Sequence, residues 1–419
     1  MRLASSICAL LFCICSQPLP CSATVIAQDD ARLVRVVALA RHGVRAPTQD
    51  ASTLSLWSTR PWPQWPVKRA HLTSRGAEQI SFMWAHLGRT WSMLGLWGAE
   101  DGAMPQPGSV FVHADTDQRT RGTAEALLRG LGCTPDYAVT ARQRDPLFHP
   151  VKAGDTNFDA AQVMTALREA LPSLRADMRA PLARLDAIAG PLAPAMCRRH
   201  GLAPGCRLTD LPDAVYLSSD GRNIRLEGAL GIASDMAEIF LLEYAQWPGQ
   251  NAGWGQVDEK TLQCLLPLHS TVFDLINRTW TLAQARGTAL VREMTAALAG
   301  QHPDARVNTA SLTVFVGHDT NLATAGRLLG LHWQAEGYPV DDIPPGSVLL
   351  LELWEQAGCH TVRPRFVALP LKMLHAPLSS LEARSHLTVV TAGKDMELKE
   401  FFSLTHQCCG RDIFSLKGE

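Results

Sequence analysis

The chain has 419 residues, 46% of them apolar, with a formal net charge of -1. That length buries a large core and corresponds to two or three units of ordinary domain size, or to one elaborated α/β domain. The near-zero charge offers no global field for nucleic acid or an anionic membrane, so any anion must be met by a local cluster of Arg or Lys. Disorder and coiled coil are excluded on composition.

Residues 1–27 have the layout of a cleaved export signal: Arg2, a short apolar run from Ser6 to Cys15, then the small residues Ser22, Ala23 and Ala27. This places the mature chain in the periplasm or outside the cell. The apolar run is too short to span a bilayer, and no other stretch reaches membrane length. Cys133, Cys197, Cys206, Cys264, Cys359, Cys408 and Cys409 follow the signal. Disulfides persist in such a compartment, and Cys197 and Cys206 bracket a short Pro/Gly loop that makes them a candidate bridge. No CxxC or HxxxH spacing marks a zinc site, so no metal or cofactor is expected.

Arg32 to Ala40 reads as a buried strand and stops in Arg41-His42-Gly43-Val44-Arg45-Ala46-Pro47-Thr48. A Trp- and Pro-rich loop follows at Trp57 to Lys68, expected to pack over the core and compatible with a cleft wall. Ser109 to Val112 is a second strand, leading into Asp115-Thr116-Asp117 and a helix from Gln118 to Leu131 with Arg119 at its start. Helical patterning then runs over 160–198, 224–247 and 262–284, giving a largely helical insert at 151–272. Asn277-Arg278-Thr279 has sequon form but falls inside a helical pattern. Leu312 to Val316 is a third strand, ending in Gly317-His318-Asp319-Thr320-Asn321, with a helix from about Leu322. Ser347 to Leu353 and Arg363 to Leu369 look like a closing strand pair. The fold class is α/β: a mixed, mostly parallel sheet flanked by helices, with residues 28–150 and 273–419 as the catalytic domain.

Three strands thus deliver Arg41, His42, Arg45, Arg119, His318 and Asp319 to their carboxyl ends, the edge where open α/β sheets bind ligands. Cleaving a phosphate monoester without a metal requires fixed cations, an in-line nucleophile and a proton for the leaving oxygen. Arg41, Arg45 and Arg119 with His318 can surround three phosphate oxygens. His42 must attack through a neutral nitrogen, which flanking arginines favour. Asp319 must arrive protonated to serve as acid, which a low pH and a neighbouring anion favour. His71, His113 and His269 are read as structural or surface residues.

RHGVRAPT near the start and GHDTN near residue 318 resemble the signatures of the histidine acid phosphatases. WPQWPVK, LTSRG, ADTDQRTRGTAEA, DPLFHP, IFLLEYAQ, GWG, LPLH and PPG follow in the order of the bacterial periplasmic phytase/acid phosphatase subgroup. The resemblance runs from about Val34 to Leu369. It implies the histidine phosphatase (phosphoglycerate-mutase-like) fold, a phosphohistidine at His42, phosphate ligation by Arg41, Arg45, Arg119 and His318, and Asp319 as donor. It further implies that Thr48 and Glu238 line the substrate pocket and that Arg286 adds positive charge. Two positions depart from the subgroup: Gln49 stands where its phytases carry Lys, and Asp235 where they carry Met. Both make the pocket less cationic. The expected function is a secreted, phytase-like acid phosphomonoesterase acting as a monomer on a small phosphate ester. The alternatives are a periplasmic glucose-1-phosphatase or other sugar phosphatase, and a non-catalytic anion-binding protein. A metallophosphoesterase lacks its paired D-x-H and asparagine signatures here.

Overall fold

The computed structural model describes residues 31–98, 102–379 and 387–410. The expected export signal, 1–27, lies outside the described residues. A seven-stranded mixed sheet carries the fold, ordered β2 (Val110–Ala114), β5 (Leu312–Gly317), β1 (Arg32–Arg41), β6 (Val348–Gln356), β7 (Cys359–Ala368) and β8 (Thr388–Thr391), with β9 (Met396–Glu397) also on β7. The core strands β2, β5 and β1 are parallel; β6 onwards are antiparallel. All six residues of β5 are buried, which explains why it reads as a continuous apolar run rather than an alternating one.

Register places the site. Arg41 of β1 pairs with Gly317 of β5, and Ala114 of β2 pairs with Val316, so the three parallel strands end side by side. The segments beyond them are tied by backbone bonds: His42 N–H donates to Gly317 O (3.1 Å), and Asp115 N–H to Val316 O (3.0 Å). Gly317 has no room for a side chain, since a Cβ there would lie 2.6 Å from Asn321 Oδ1 and 2.8 Å from the Phe148 ring.

Four expected elements differ in detail. The pattern over 224–247 divides: Ile224–Glu227 is strand β4, paired with β3 (Ala214–Leu217), and the helix starts at Ala229. Gly228 separates them at φ 95°, a left-handed conformation that ends the strand and turns the chain. The pattern over 262–284 is two helices, Glu259–Asn277 and Trp280–Ala299, because Thr279 is extended and caps the second. The stretch 160–198 is three helices, Ala160–Asp177, Arg179–Ala189 and Pro194–Arg199. The helix expected from about Leu322 begins at Asp319. Asn277 is buried and its amide is consumed by the fold, donating to Phe273 O and accepting from Arg286.

Trp62 and Trp65 of the Trp/Pro loop pack on Trp254 and Trp247, with ring centroids 4.8 and 4.7 Å apart, so the loop covers the helix Ala229–Gln246. Cys197 and Cys206 form the disulfide expected of them. Among the described residues no helix is long and apolar enough to cross a membrane.

Candidate active site

Arg41 is the last residue of β1 and is 1% exposed; His42, just beyond it, is 2% exposed. The His42 Nδ1 lies 2.9 Å from Gly43 O. A carbonyl only accepts, so Nδ1 carries the proton and Nε2 keeps its lone pair. Burial, followed by the charges of Arg119, Arg41 and Arg45, holds the His42 imidazole well below its usual range. The direction expected from flanking arginines is met, with desolvation as the larger cause.

The arginines gather around this ring with carboxylates as counter-ions. Arg41 Nη2 pairs with Glu238 (2.6 Å) and Asp319 (2.8 Å), and Arg45 Nη2 bonds both Glu238 oxygens (3.0 and 3.1 Å). Arg119 Nη2 pairs with Asp117 (2.7 Å) and donates to His318 Nδ1 (3.3 Å). His318 Nε2 then donates to Asp115 Oδ2 (2.6 Å), which also accepts from His149 Nε2 (2.9 Å). Each of the three arginines retains a buried Nε–H without a hydrogen-bond partner. Three guanidinium charges acting on one neutral imidazole are matched by an oxyanion with several acceptor oxygens.

Asp319 opens its helix, with Oδ1 accepting from Thr320 N–H (2.8 Å). The neighbouring anion expected beside it is present as Glu238. Burial and Glu238 raise the Asp319 carboxyl, but Arg41, His318 and Arg45 outweigh them and hold it below the usual range. The neighbouring anion therefore does not by itself load the proton, and the ionised form of Asp319 is favoured. For Glu238 itself, burial works upward and the charges of Arg45 and Arg41 overcome it, so it stays ionised.

Thr48 is exposed, and its hydroxyl donates to Gln49 Oε1 (3.3 Å). Gln49 in turn hydrogen-bonds Asp235, whose carboxyl is raised to about 6 by burial and by Glu238. The two positions that depart from the resembling subgroup therefore touch each other. Arg286 lies in a neighbouring cavity of about 220 Å³ with His149, Lys152, Arg222, Thr320 and Asn321. Burial lowers its guanidinium to about 10, and Nη1 donates to Asn277.

Sequence reasoning missed Asp115, Asp117 and His149. All three stood in quoted motifs, Asp115 and Asp117 between a strand end and a helix and His149 in DPLFHP, a signal that could have raised them. With His318 they form the one group among the described residues whose ligand atoms are close enough to hold a metal ion. Local spacing could not reveal it, since three separate chain segments contribute. His113 pairs with Asp145 (2.8 Å) and packs on Phe148, and His269 bonds Ser234 (3.2 Å).

Comparison with known proteins gives this geometry a family. The family model of the histidine phosphatase superfamily (branch 2) matches residues 32–184 and 223–369. The chain belongs to the histidine phosphatase superfamily. Within it, the chain is 36% identical to the phytase AppA of Escherichia coli over 354 residues, 80% of each protein. It is 27% identical to a glucose-1-phosphatase of Salmonella typhimurium over 347 residues, 78% of each. Among solved histidine phosphatases, the Hafnia alvei phytase superposes with a TM-score of 0.79 at 33% identity, covering 91% of this chain and 98% of that one. The Citrobacter braakii phytase gives 0.79 at 30% identity, covering 90% and 98%.

Proposed function

We propose that this chain is an exported acid phosphatase that hydrolyses phosphate monoesters, phytate among them, through a phosphohistidine at His42. The observation that carries the reading is the buried, neutral His42 with a free Nε2 inside a ring of three arginines whose Nε donors are unpartnered. Arg41, Arg45, Arg119 and His318 hold the phosphate. His42 Nε2 attacks phosphorus as the P–O bond to the leaving alcohol breaks, and the Asp319 carboxyl delivers a proton to that oxygen. Water then attacks the phosphohistidine, giving its proton to the Asp319 carboxylate and releasing inorganic phosphate and free His42.

The proton reaches Asp319 because substrate changes its surroundings. A phosphate dianion takes up Arg41 donors that otherwise hold Asp319 ionised, and it adds negative charge nearby. Both raise the proton affinity of Asp319, so an acidic medium loads it. Phosphate entry also draws a proton to His318 Nδ1, with Asp115 stabilising the imidazolium at Nε2.

Residues 28–150 with 273–419 serve as the catalytic unit and 151–272 as the insert, which supplies Glu238 from the helix Ala229–Gln246. The similarity to phytases supports a polyphosphorylated substrate, with Thr48, Gln49, Glu238 and Arg286 around the pocket. A simple sugar phosphatase is the second reading, favoured by Gln49 being tied to the carboxyl of Asp235 rather than offering a cation. A panel of phytate, glucose 1-phosphate and an aryl phosphate at about pH 5 tests these. Highest kcat/KM on phytate supports the first reading, highest on glucose 1-phosphate supports the second, and no hydrolysis of any refutes both.

A further inference from the structure

The group at the Nε2 edge of His318, of which phosphate transfer uses only the Asp115–His318 contact, has a second chemistry. Asp115 and Asp117 follow β2, His149 precedes a short helix at Pro150–Ala153, and His318 follows β5. Their four ligand atoms all lie within 4.8 Å of one another. Asp115 Oδ2 is 2.6 Å from His318 Nε2 and 2.9 Å from His149 Nε2, and Asp117 Oδ2 is 3.6 Å from His318 Nε2. Two imidazoles therefore aim the same nitrogen at one carboxylate oxygen. Asp115 is 0% exposed, and its Oδ1 is buried without a hydrogen-bond partner, an acceptor the fold leaves unused.

Two imidazole nitrogens with two carboxylates suit zinc, copper or nickel and not the all-oxygen preference of magnesium or calcium. Metal–ligand distances of about 2.0–2.1 Å in a tetrahedral site set the ligand atoms about 3.4 Å apart. The three short separations, 2.6, 2.9 and 3.6 Å, reach that value with shifts below an ångström. Two carboxylates neutralise a divalent charge, so a closed site gains no net charge. His149 and Asp117 retain 19% and 43% side-chain exposure, which opens a path for the ion.

We propose that Asp115, Asp117, His149 and His318 bind one divalent transition-metal ion of the zinc type, and that its occupancy represses the phosphate site. The second half rests on the phosphatase reading above. An ion on His318 Nε2 forces the ring proton onto Nδ1, which faces the Arg119 Nη2 donor at 3.3 Å. Asp117, turning to the ion, leaves its 2.7 Å pairing with Arg119. Arg119 loses both partners and the cradle loosens.

The test uses the full mature chain after EDTA treatment and desalting, without substrate. Co2+ is titrated and followed by its visible absorption, then displaced with Zn2+. One ion per chain is expected. His149→Gln keeps an N–H donor toward Asp115 but removes the nitrogen ligand, so affinity should fall by about tenfold or more. Its aryl phosphatase turnover in EDTA, whatever its level, is the reference against which inhibition is read, since the His149 ring lies 5.0 Å from that of His318. The Zn2+ concentration for half-inhibition should rise in the same proportion, and Mg2+ should not inhibit. His149→Asn, too short for that bond to Asp115, provides a second variant with the same expected loss of metal affinity. Unchanged metal affinity in both variants, or no one-to-one binding by the wild type, overturns the site. Binding with unimpaired turnover overturns the repression alone. Absent turnover in EDTA restored by Zn2+ also overturns repression, and it refutes the metal-independent phosphatase reading while the site stands.

Discussion

Glu238→Gln separates what stabilises the empty cradle from what binds the anion. The Glu238 carboxylate is the shared partner of Arg41 and Arg45, at 2.6 Å and at 3.0 and 3.1 Å. Glutamine keeps the shape and one acceptor but removes the charge. Arg41 retains Asp319, while Arg45 is left with no carboxylate partner among the described residues. Breaking a buried ion pair in this way costs about 3–5 kcal/mol. Unfolding entropy for a chain this size is roughly 0.8 kcal/mol/K, so Tm should fall by about 4–6 °C. The anion responds in the opposite sense. The variant removes one negative charge from among Arg41, Arg45 and Arg119, making the surroundings of the phosphate one unit more positive. A unit charge at about 5 Å contributes roughly 3 kcal/mol at an effective dielectric of 20. Tenfold tighter phosphate binding is thus a modest expectation, and it returns about 1.4 kcal/mol at saturation. Thermal unfolding of both proteins with and without inorganic phosphate, together with the inhibition constant for phosphate, measures each term. A variant as stable as wild type in plain buffer, or one that binds phosphate no more tightly, would refute Glu238 as the counter-ion that phosphate must outcompete.

Asp319→Asn should slow hydrolysis of alkyl phosphates by roughly 100- to 10,000-fold and of an aryl phosphate far less, because a phenolate leaves without a proton; equal losses on both would remove it from the donor role. Gln49→Lys alone should change KM for phytate little, since the new ammonium pairs with Asp235, whereas Gln49→Lys with Asp235→Asn should lower it a few-fold, about 0.2–1 kcal/mol, in a salt-sensitive way. KM for phytate and an aryl phosphate in both variants checks this, and an equal response of the two substrates would rule out a specificity role. Glu243 is buried with its carboxyl raised to about 7 by desolvation, against the N–H of Gly253. The folded protein then binds the proton more tightly than the unfolded one, so stability is lost as pH rises from about 4.5 through 7. Glu243→Gln should gain stability relative to wild type across that window, by roughly 3 kcal/mol at most; a pH-independent difference would contradict the shift.

β1 and β5 were legible because burial makes their sequences nearly continuous in apolar residues, and all three parallel strands end where a charge appears. Their order in the sheet was not, and it is the pairing of Arg41 with Gly317 and Ala114 with Val316 that brings the three ends together. Helical periodicity overran Gly228 and Thr279 because apolar spacing continues through both, while a left-handed glycine and an extended cap break the backbone. His42, Asp319 and the three arginines stood out as charges at strand ends. Asp115 and His149 did not, because their role arises from a contact across 34 positions of chain. The ionised state of Asp319 was equally hidden, since it depends on whether Arg41 or Glu238 dominates its surroundings.

The central claim, attack by His42, is tested most directly by trapping the intermediate. Wild type mixed with a labelled phosphate ester and quenched in alkali, where phosphohistidine survives, should carry one phosphoryl group on the peptide containing His42, and His42→Ala should carry none and turn over no substrate. Label on any other residue, or turnover by His42→Ala near the wild-type rate, would contradict it.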